Sequence, residues 1–131
     1  MPQTPVPSPG HREHPEYRVV ELPVQGRMTV EFGDTCLADS RDVIRVEEDG
    51  QPAHFYFPRD DVQTQFLKPS TKITNCPFKG QAIYFGLRTD AGKADDAVWS
   101  YEEPYAEHVA LKGRLAFDES TSPALLIRSL P

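Results

Sequence analysis

Short runs of alternating apolar and polar residues recur through the middle of this chain. Met28-Thr29-Val30-Glu31-Phe32 alternates, Gly33-Asp34 is a turn pair, and Thr35-Cys36-Leu37-Ala38 continues beyond the turn. Alternation places successive side chains on opposite faces of a strand, and a two-residue turn containing glycine joins antiparallel neighbours. The pattern therefore predicts a β-hairpin over residues 28–38.

Further strands follow the same reasoning. The run at 43–47 alternates, Asp49-Gly50 is a second turn signal, and 53–57 returns as far as Pro58, which makes a second hairpin. Additional strands are predicted at 82–88, 94–101 and 115–117, the stretches rich in β-branched and aromatic residues.

Two short stretches have helical character instead. Residues 59–67 begin with acids, which suit a helix N-terminus, and their apolar positions follow helical spacing, so we expect a short helix or 3₁₀ turn. Pro104 opens a second short helical stretch through residue 109. Consecutive hairpins need no crossover helices, and the edges of such a sheet must be closed or covered. The predicted fold is mainly β, a single domain of antiparallel hairpins in a folded-over or barrel-like sheet, with one or two short helices.

The domain organisation follows from length and composition. A chain of 131 residues fits one hydrophobic core. Residues 1–26 are predicted to be a flexible proline-rich arm and lead-in, 27–118 the β domain, and 119–131 a C-terminal tail. The tail carries the apolar run Leu125-Leu126-Ile127, for which local packing and a homodimer contact both remain open.

Charge and cysteine usage exclude several classes of protein. The net charge is −6, with basic residues scattered among acids, which argues against nucleic-acid binding. The chain has no apolar run long enough to span a membrane and no apolar N-terminal signal, so a soluble, cytoplasmic protein is expected. Cys36 and Cys76 are predicted to be free thiols, since they form no Cys-x-x-Cys pair; we predict no metal and no cofactor.

The stretch Cys76-Pro77-Phe78-Lys79-Gly80 brings a thiol and an amine together at a predicted turn. A thiolate is a strong nucleophile, and a lysine nearby favours the charged form of the thiol. Cys76 and Lys79 are therefore catalytic candidates, although a buried thiol packing as a small apolar side chain and a plain ion pair of Lys79 with Glu102 or Asp61 are the alternatives. Gly80 would let a ligand approach the backbone closely.

Aromatic and charged residues complete the candidate cleft. Trp99 and Tyr101 share one face of their strand, with Tyr84 expected opposite on the next strand. Such a wall can orient a flat ligand, or it can be core packing. Glu102 is the proton-transfer candidate beside Lys79, and Tyr101 and Glu102 are expected at the rim. The predicted ligand-binding residues are Tyr56, Arg59, Asp61, Tyr84, Trp99 and Tyr101.

The histidines give weaker signals. His54, inside an alternating strand, can act as a base near neutral pH, but no partner adjoins it in sequence. His108 is expected at the surface. His11 and His14 supply only half of a metal ligand set.

Three ordered motifs resemble a known family. They are Tyr56-Phe57-Pro58-Arg59-Asp60-Asp61-Val62, Cys76-Pro77-Phe78-Lys79-Gly80-Gln81-Ala82-Ile83-Tyr84 and Trp99-Ser100-Tyr101-Glu102-Glu103-Pro104. With 113–117 they span roughly 27–118, and by them the chain resembles the family catalogued as domain of unknown function 427. The resemblance implies a small antiparallel β fold similar to the tent-like folds of methionine sulfoxide reductase B and the cereblon ligand-binding domain.

Two properties attached to that resemblance are not expected here. Relatives of that fold commonly hold zinc with two Cys-x-x-Cys pairs, which this chain lacks. Some catalogues label the family nucleotidyltransferase-like, but the chain has neither a glycine-rich phosphate loop nor acids spaced one apart on a strand, because Asp60 and Asp61 are adjacent. We therefore expect a small-molecule site, either that of an enzyme acting on a small organic substrate or that of a non-catalytic module binding a ligand or peptide. An oligomeric accessory protein is a third reading.

Overall fold

The fold consists of two antiparallel sheets. A computed structural model describes residues 5–130. Within them the strands are β1 (Val19–Pro23), β2 (Arg27–Phe32), β3 (Thr35–Ser40), β4 (Ile44–Glu48), β5 (His54–Phe57), β6 (Leu67–Cys76), β7 (Gly80–Thr89), β8 (Gly92–Tyr101), β9 (Leu115–Phe117) and β10 (Leu125–Leu130). Seven strands form one sheet in the order β1-β4-β5-β9-β8-β7-β6, and three form the other in the order β10-β2-β3. The mainly β, antiparallel prediction is confirmed.

Helical structure is limited to short segments. The helix α1 spans Pro9–Glu13. The 3₁₀ segments among the described residues are Arg59–Asp61, Thr64–Phe66, Ala106–Leu111 and Glu119–Thr121. The first two fall inside the stretch predicted at 59–67, and the third covers most of the one predicted from Pro104. Among the helices of residues 5–130, none is long and apolar enough to cross a membrane.

Both predicted hairpins are present. In β2–β3, Phe32 lies opposite Thr35 across the two-residue turn, and Gly33 has a φ of +57° that favours glycine. In β4–β5, Ile44 lies opposite Tyr56. The alternation of the sequence was sufficient here because each hairpin buries one face and connects through a short turn.

Three strands were not predicted from the pattern. β1 lies in the predicted lead-in, β6 extends well ahead of the residues expected to be extended, and β10 lies in the predicted tail. β6 is an edge strand with Lys68, Pro69 and Lys72 exposed, a composition that edge strands tolerate but that hides alternation. β10 pairs with β2 and buries Leu125, so the C-terminal apolar run packs locally, while Leu126 stays 41% exposed.

The larger core lies between the two sheets. One face of the seven-stranded sheet, the outer face, packs on the three-stranded sheet. The buried members of this core include Met28, Val30, Phe32, Leu37, Phe57, Leu87, Val98, Leu115, Phe117 and Leu125. Burial of this apolar surface is the main stabilising contribution to the fold.

The opposite, inner face of the large sheet carries a second core. Its buried members are Val46, Tyr56, Ala82, Trp99, Tyr101, Leu111 and Ala116. The sheet curls around this face, because the turn between β6 and β7 meets the end of β4 although four strands lie between β4 and β6 in the sheet order. β1 and β6 remain unpaired with each other, so the sheet is folded over rather than closed into a barrel.

The N-terminal segment lies against the β6–β7 turn. α1 begins after Ser8, whose side chain accepts a hydrogen bond from His11 N, and the Gly10 amide donates to the Pro77 carbonyl at 2.8 Å. Part of the predicted arm is therefore ordered on the domain in this structure. Residues 1–4 of that arm, with Pro2, fall outside the described residues.

Candidate functional site

A buried ion pair lies at one end of the inner face. Lys79 Nζ is 2.6 Å from Glu48 Oε1, and the two side chains are 5% and 11% exposed. Lys79 comes from the β6–β7 turn and Glu48 from the end of β4. The ion pair predicted for Lys79 is present, but its partner is Glu48 and not Glu102 or Asp61. Burying two charges costs roughly several kcal/mol of hydration free energy for each ion. A buried charge pair is therefore a candidate for a functional site.

The local backbone explains how Lys79 reaches this position. Cys76 ends β6 and Gly80 starts β7 directly opposite it, so residues 77–79 form a tight turn. Gly80 has a φ of +124°, a conformation that other residues rarely adopt. Tyr105 N donates to the Lys79 carbonyl, which fixes the turn against the segment that follows β8.

Cys76 adjoins the pair and is partly exposed. Its Sγ accepts a hydrogen bond from the backbone N–H of Lys79 at 3.4 Å, and its side chain packs at the edge of the inner core. Both cysteines are free, as predicted, and Cys36 is exposed in β3.

The predicted aromatic wall is present on this face. Tyr84 lies directly opposite Trp99, and Tyr101 occupies the same face of β8. Trp99 Nε1 donates to the Tyr56 hydroxyl at 3.0 Å in a buried hydrogen bond. Burial raises the pKa values of Tyr56 and Tyr101, so both phenols stay protonated. Tyr101 was expected at the rim but is buried, because the curled sheet covers it.

Half-buried residues border the wall. Tyr84, whose hydroxyl lies 3.0 Å from Thr74 Oγ1, is one of them, and Lys72 Nζ lies 4.6 Å from the centre of its ring. His54 stacks edge-on against Trp99 at 5.1 Å, and burial lowers its pKa, which favours the neutral imidazole at pH 7. An apolar floor with a few polar groups at its border is the usual composition of a ligand site.

Tyr17 closes the polar end of the cluster. Its hydroxyl donates to Glu48 Oε2 at 3.0 Å, and its ring stacks on Phe78 with centroids 4.1 Å apart. Burial, together with the hydrogen bond to Glu48, raises the pKa of Tyr17 to about 12. Glu48 therefore has both carboxylate oxygens engaged, one by an ammonium group and one by a phenol.

The remaining predicted site residues lie on the outer side of the sheet. Arg59 contacts Glu102 through two hydrogen bonds of 3.2 and 3.3 Å, and Ser100 Oγ donates to Glu102 at 2.9 Å. Ser100 lies between Trp99 and Tyr101, so it faces away from them. Arg59 also borders a separate groove of about 480 Å³ that includes Phe85.

Asp61 lies in a third location. Its carboxylate accepts a hydrogen bond from Ser40 Oγ at 2.6 Å, next to β3. The single cleft expected from the sequence is therefore divided: Tyr56, Cys76, Lys79, Tyr84, Trp99 and Tyr101 share the inner face, whereas Arg59, Asp61 and Glu102 do not. Glu102 is the first residue after β8, and its contacts with Ser100 and Arg59 separate it from Tyr101.

Sequence reasoning missed two residues of the inner-face cluster. Glu48 follows an alternating run and immediately precedes a turn, and nothing in its sequence context indicates a partner 31 positions away. Tyr17 carried a weak signal, as an aromatic residue in an arm with few apolar side chains.

A histidine pair lies beside this cluster. His108 is only 3% exposed, contrary to the surface position expected for it, because α1 packs over it. Its partner is His11, the two Nε2 atoms being 2.8 Å apart, so His11 pairs with His108 and not with His14. No group of three or more histidine, cysteine or acidic side chains in residues 5–130 has the arrangement of a metal site.

Comparison with known proteins identifies the family of this chain. The chain belongs to the family described as domain of unknown function (DUF427), whose model matches residues 21–126. No curated protein matches the chain. The resemblance carried by the three motifs is thereby confirmed. The match also includes the end of β1 and the start of β10, which the motifs did not include.

Proposed function

We propose that the inner face of this family member binds a small organic molecule, over the wall formed by Tyr84, Trp99 and Tyr101. The observation that supports this most is the Lys79–Glu48 pair, which lies buried beside Cys76 at the end of that wall. The wall supplies apolar contact area, and the polar end supplies groups that can orient a ligand.

The chemistry available at the polar end is that of a thiol. Cys76 would be the nucleophile, with the Lys79 N–H stabilising its thiolate and the Lys79 ammonium contributing positive charge nearby. Glu48 takes the place that Glu102 was expected to hold beside Lys79. In the alternative, non-catalytic module, the same face binds a ligand without reacting with it. Two free cysteines support the cytoplasmic location that we include in this proposal.

Binding can be tested with 8-anilinonaphthalene-1-sulfonate as an apolar aromatic probe. Trp99 is the only tryptophan, so energy transfer from it reports that the probe is bound to the protein. Tyr84→Ser should weaken binding about threefold to tenfold, the factor expected for one aromatic contact. Leu126→Ser removes an exposed apolar side chain on β10 and should leave affinity unchanged. Equal affinity in the wild type and Tyr84→Ser would place the site elsewhere.

Catalytic chemistry is separated from simple binding by thiol reactivity. Iodoacetamide alkylation, mapped by mass spectrometry, compares Cys76 with Cys36 in the same molecule. Cys36 is the more exposed of the two, so exposure favours its modification. Faster modification of Cys76 below about pH 8 supports a nucleophile, whereas slower modification supports the binding module.

A further inference from the structure

The N-terminal segment is attached to the candidate site at its first end by several hydrogen bonds. Gly10 N and Ser8 Oγ both donate to the carbonyl of Pro77, at 2.8 and 2.7 Å. Ser8 N donates to Glu107 Oε1 at 2.9 Å. Pro77 lies between Cys76 and Lys79, so the segment contacts the backbone of the same turn that carries the candidate chemistry.

Its second end covers the ion pair. Tyr17 stacks on Phe78 and donates to Glu48, which limits access to the Lys79–Glu48 pair from this side. The interior of the segment, in contrast, is exposed at Arg12, Glu13 and His14. Residues 8–17 therefore contact the site at their two ends and have exposed side chains between them, so this segment can detach without unfolding the sheets.

A pair of histidines fastens the segment near its first end. His11 Nε2 and His108 Nε2 are 2.8 Å apart, and the His11 ring also packs edge-on against Phe78. On the other side of His108, Nδ1 lies 3.5 Å from Glu21 Oε2 on β1, and neither atom has a hydrogen-bond partner. The other charged groups facing His11 are Glu107 and Lys79.

The hydrogen bond between the two rings requires a single proton between the two Nε2 atoms. One Nε2 must carry a proton and the other must offer its lone pair. A first additional proton is accommodated, since His108 can then direct Nδ1–H toward Glu21 and donate Nε2–H to His11. A second proton would have to occupy the accepting nitrogen, which places two N–H groups and two positive charges face to face and removes the bond.

We propose that residues 8–17 are a lid over the inner-face site, latched by the His11–His108 hydrogen bond, and that protonation of both histidines opens the lid. This form of regulation rests on the proposed function. Burial and the neighbouring His108 lower the pKa of His11, in agreement with a closed lid that resists the proton. Since the pKa of His11 is lower in the closed state than its ordinary value of 6.5, the lid is closed above that pH and loses closure as the pH falls below it.

Hydrogen exchange measures the lid without any ligand. Protection factors of the amides in α1 and up to Tyr17, corrected for intrinsic rates, are compared at about pH 7.5 and pH 5.5. They should fall at pH 5.5 by at most about tenfold, because that pH is one unit below the ordinary pKa of 6.5 and the closed lid lowers the pKa of His11. His11→Gln should abolish this pH dependence. His14→Gln should retain it, because His14 is an exposed histidine on the same segment, with 61% of its side chain accessible.

A steric variant opens the lid without changing a titratable group. A Cβ at Gly10 would lie 2.6 Å from the Pro77 carbonyl oxygen and 2.9 Å from Phe78, so Gly10→Ala must displace α1. Low protection should then persist at both pH values. Alkylation of Cys76 by iodoacetamide, expressed relative to Cys36, should be several-fold faster in Gly10→Ala than in the wild type at about pH 7.5.

Two results would overturn the lid. One is protection of the segment that does not change with pH in the wild type, or that changes equally in His11→Gln. The other is a Cys76 to Cys36 ratio that Gly10→Ala leaves unaltered. Both are independent of the sulfonate probe: absence of probe binding even in Gly10→Ala, where the lid is open, would contradict the proposed site and not the latch.

Discussion

Lys79 Nζ and Glu48 Oε1 are 2.6 Å apart, although β4 is the second strand of the seven-stranded sheet and β7 the sixth. A flat sheet would hold strands at these positions about 19 Å apart, given the usual spacing between neighbouring strands. The contact therefore exists only because the sheet curls, and the pair fixes that curl at the end where the candidate chemistry lies.

Removing one partner of the pair should be more damaging than removing both. Lys79→Met leaves Glu48 buried without its counter-ion, for which we expect a loss of about 3–5 kcal/mol in the free energy of unfolding. Lys79→Met combined with Glu48→Gln leaves no isolated charge and should cost clearly less. Urea unfolding of the two single variants and the double variant measures the coupling.

The control for this cycle lies on the same strand. Arg45 and Glu47 form an ion pair of the same length, 2.6 Å, but their side chains are 47% and 44% exposed. Glu47→Gln should cost only about 0–1 kcal/mol, because water solvates the remaining charge. If Lys79→Met were no more destabilising than Glu47→Gln, water would reach Glu48 and the Lys79–Glu48 pair would not be buried.

The Trp99–Tyr56 hydrogen bond should contribute to stability through the group left unpaired when it is broken. Tyr56→Phe removes the acceptor of a buried indole N–H, and we expect a loss of about 1–3 kcal/mol. Tyr84→Phe removes the hydroxyl bonded to Thr74 at the border of the wall, where water can replace it, and should cost about 0–1 kcal/mol. Equal losses in thermal or urea unfolding would show that the indole N–H finds another acceptor.

The inner-face wall could be predicted from the sequence because it depends on local periodicity. Trp99 and Tyr101 are two apart on one strand. The β7–β8 pairing shifts by two residues between Phe85 and Leu87, which preserves the alternation of faces and brings Tyr84 opposite Trp99. Glu102 shows the limit of the same reasoning. It follows Tyr101 directly, and a period of two sends it away from the wall, but proximity in sequence had suggested a shared cleft.

Glu48 and Tyr17 could not be predicted in this way, because their positions depend on the curl of the whole sheet. Their contacts with Lys79 and Phe78 join segments on opposite sides of the seven-stranded sheet, and no local pattern encodes that distance. The buried state of His108 also depends on a contact between residues far apart in sequence. It results from the packing of α1, a segment whose composition predicts an arm with little apolar surface to bury.

Tyr17 should make stability fall at high pH. Its pKa is raised from 10 in the unfolded chain to about 12 in the folded protein, by burial first and by the hydrogen bond to Glu48 second. A raised pKa gives stability that is complete below about pH 10 and is lost as the pH rises toward 12. The free energy of unfolding of Tyr17→Phe should therefore fall less steeply over that window.

The remaining tyrosines set the background for this measurement. Burial also raises the pKa values of Tyr56 and Tyr101, so some alkaline loss should persist in Tyr17→Phe. Absorbance at an alkaline pH, followed in parallel, counts the phenolates formed before unfolding. An identical alkaline slope in the wild type and Tyr17→Phe would mean that Tyr17 titrates as an exposed phenol and does not cover Glu48.

Gly80→Ala should test how closely the turn that presents Lys79 is packed. Gly80 has a φ of +124°, and a Cβ there would lie 3.3 Å from the Glu103 carbonyl oxygen and from Pro104 Cα. Gly92 has nearly the same φ, +125°, but its Cβ would have no neighbour within 4 Å. Both substitutions carry the backbone strain of an unfavourable φ, roughly 1–3 kcal/mol, and Gly80→Ala adds the contact with the backbone of residues 103–104.

Gly80→Ala should therefore unfold at a lower urea concentration than Gly92→Ala. It should also bind the sulfonate probe more weakly, because the turn that positions Lys79 is displaced. Equal unfolding midpoints would show that the backbone of residues 103–104 moves away from the added Cβ without a loss of stability.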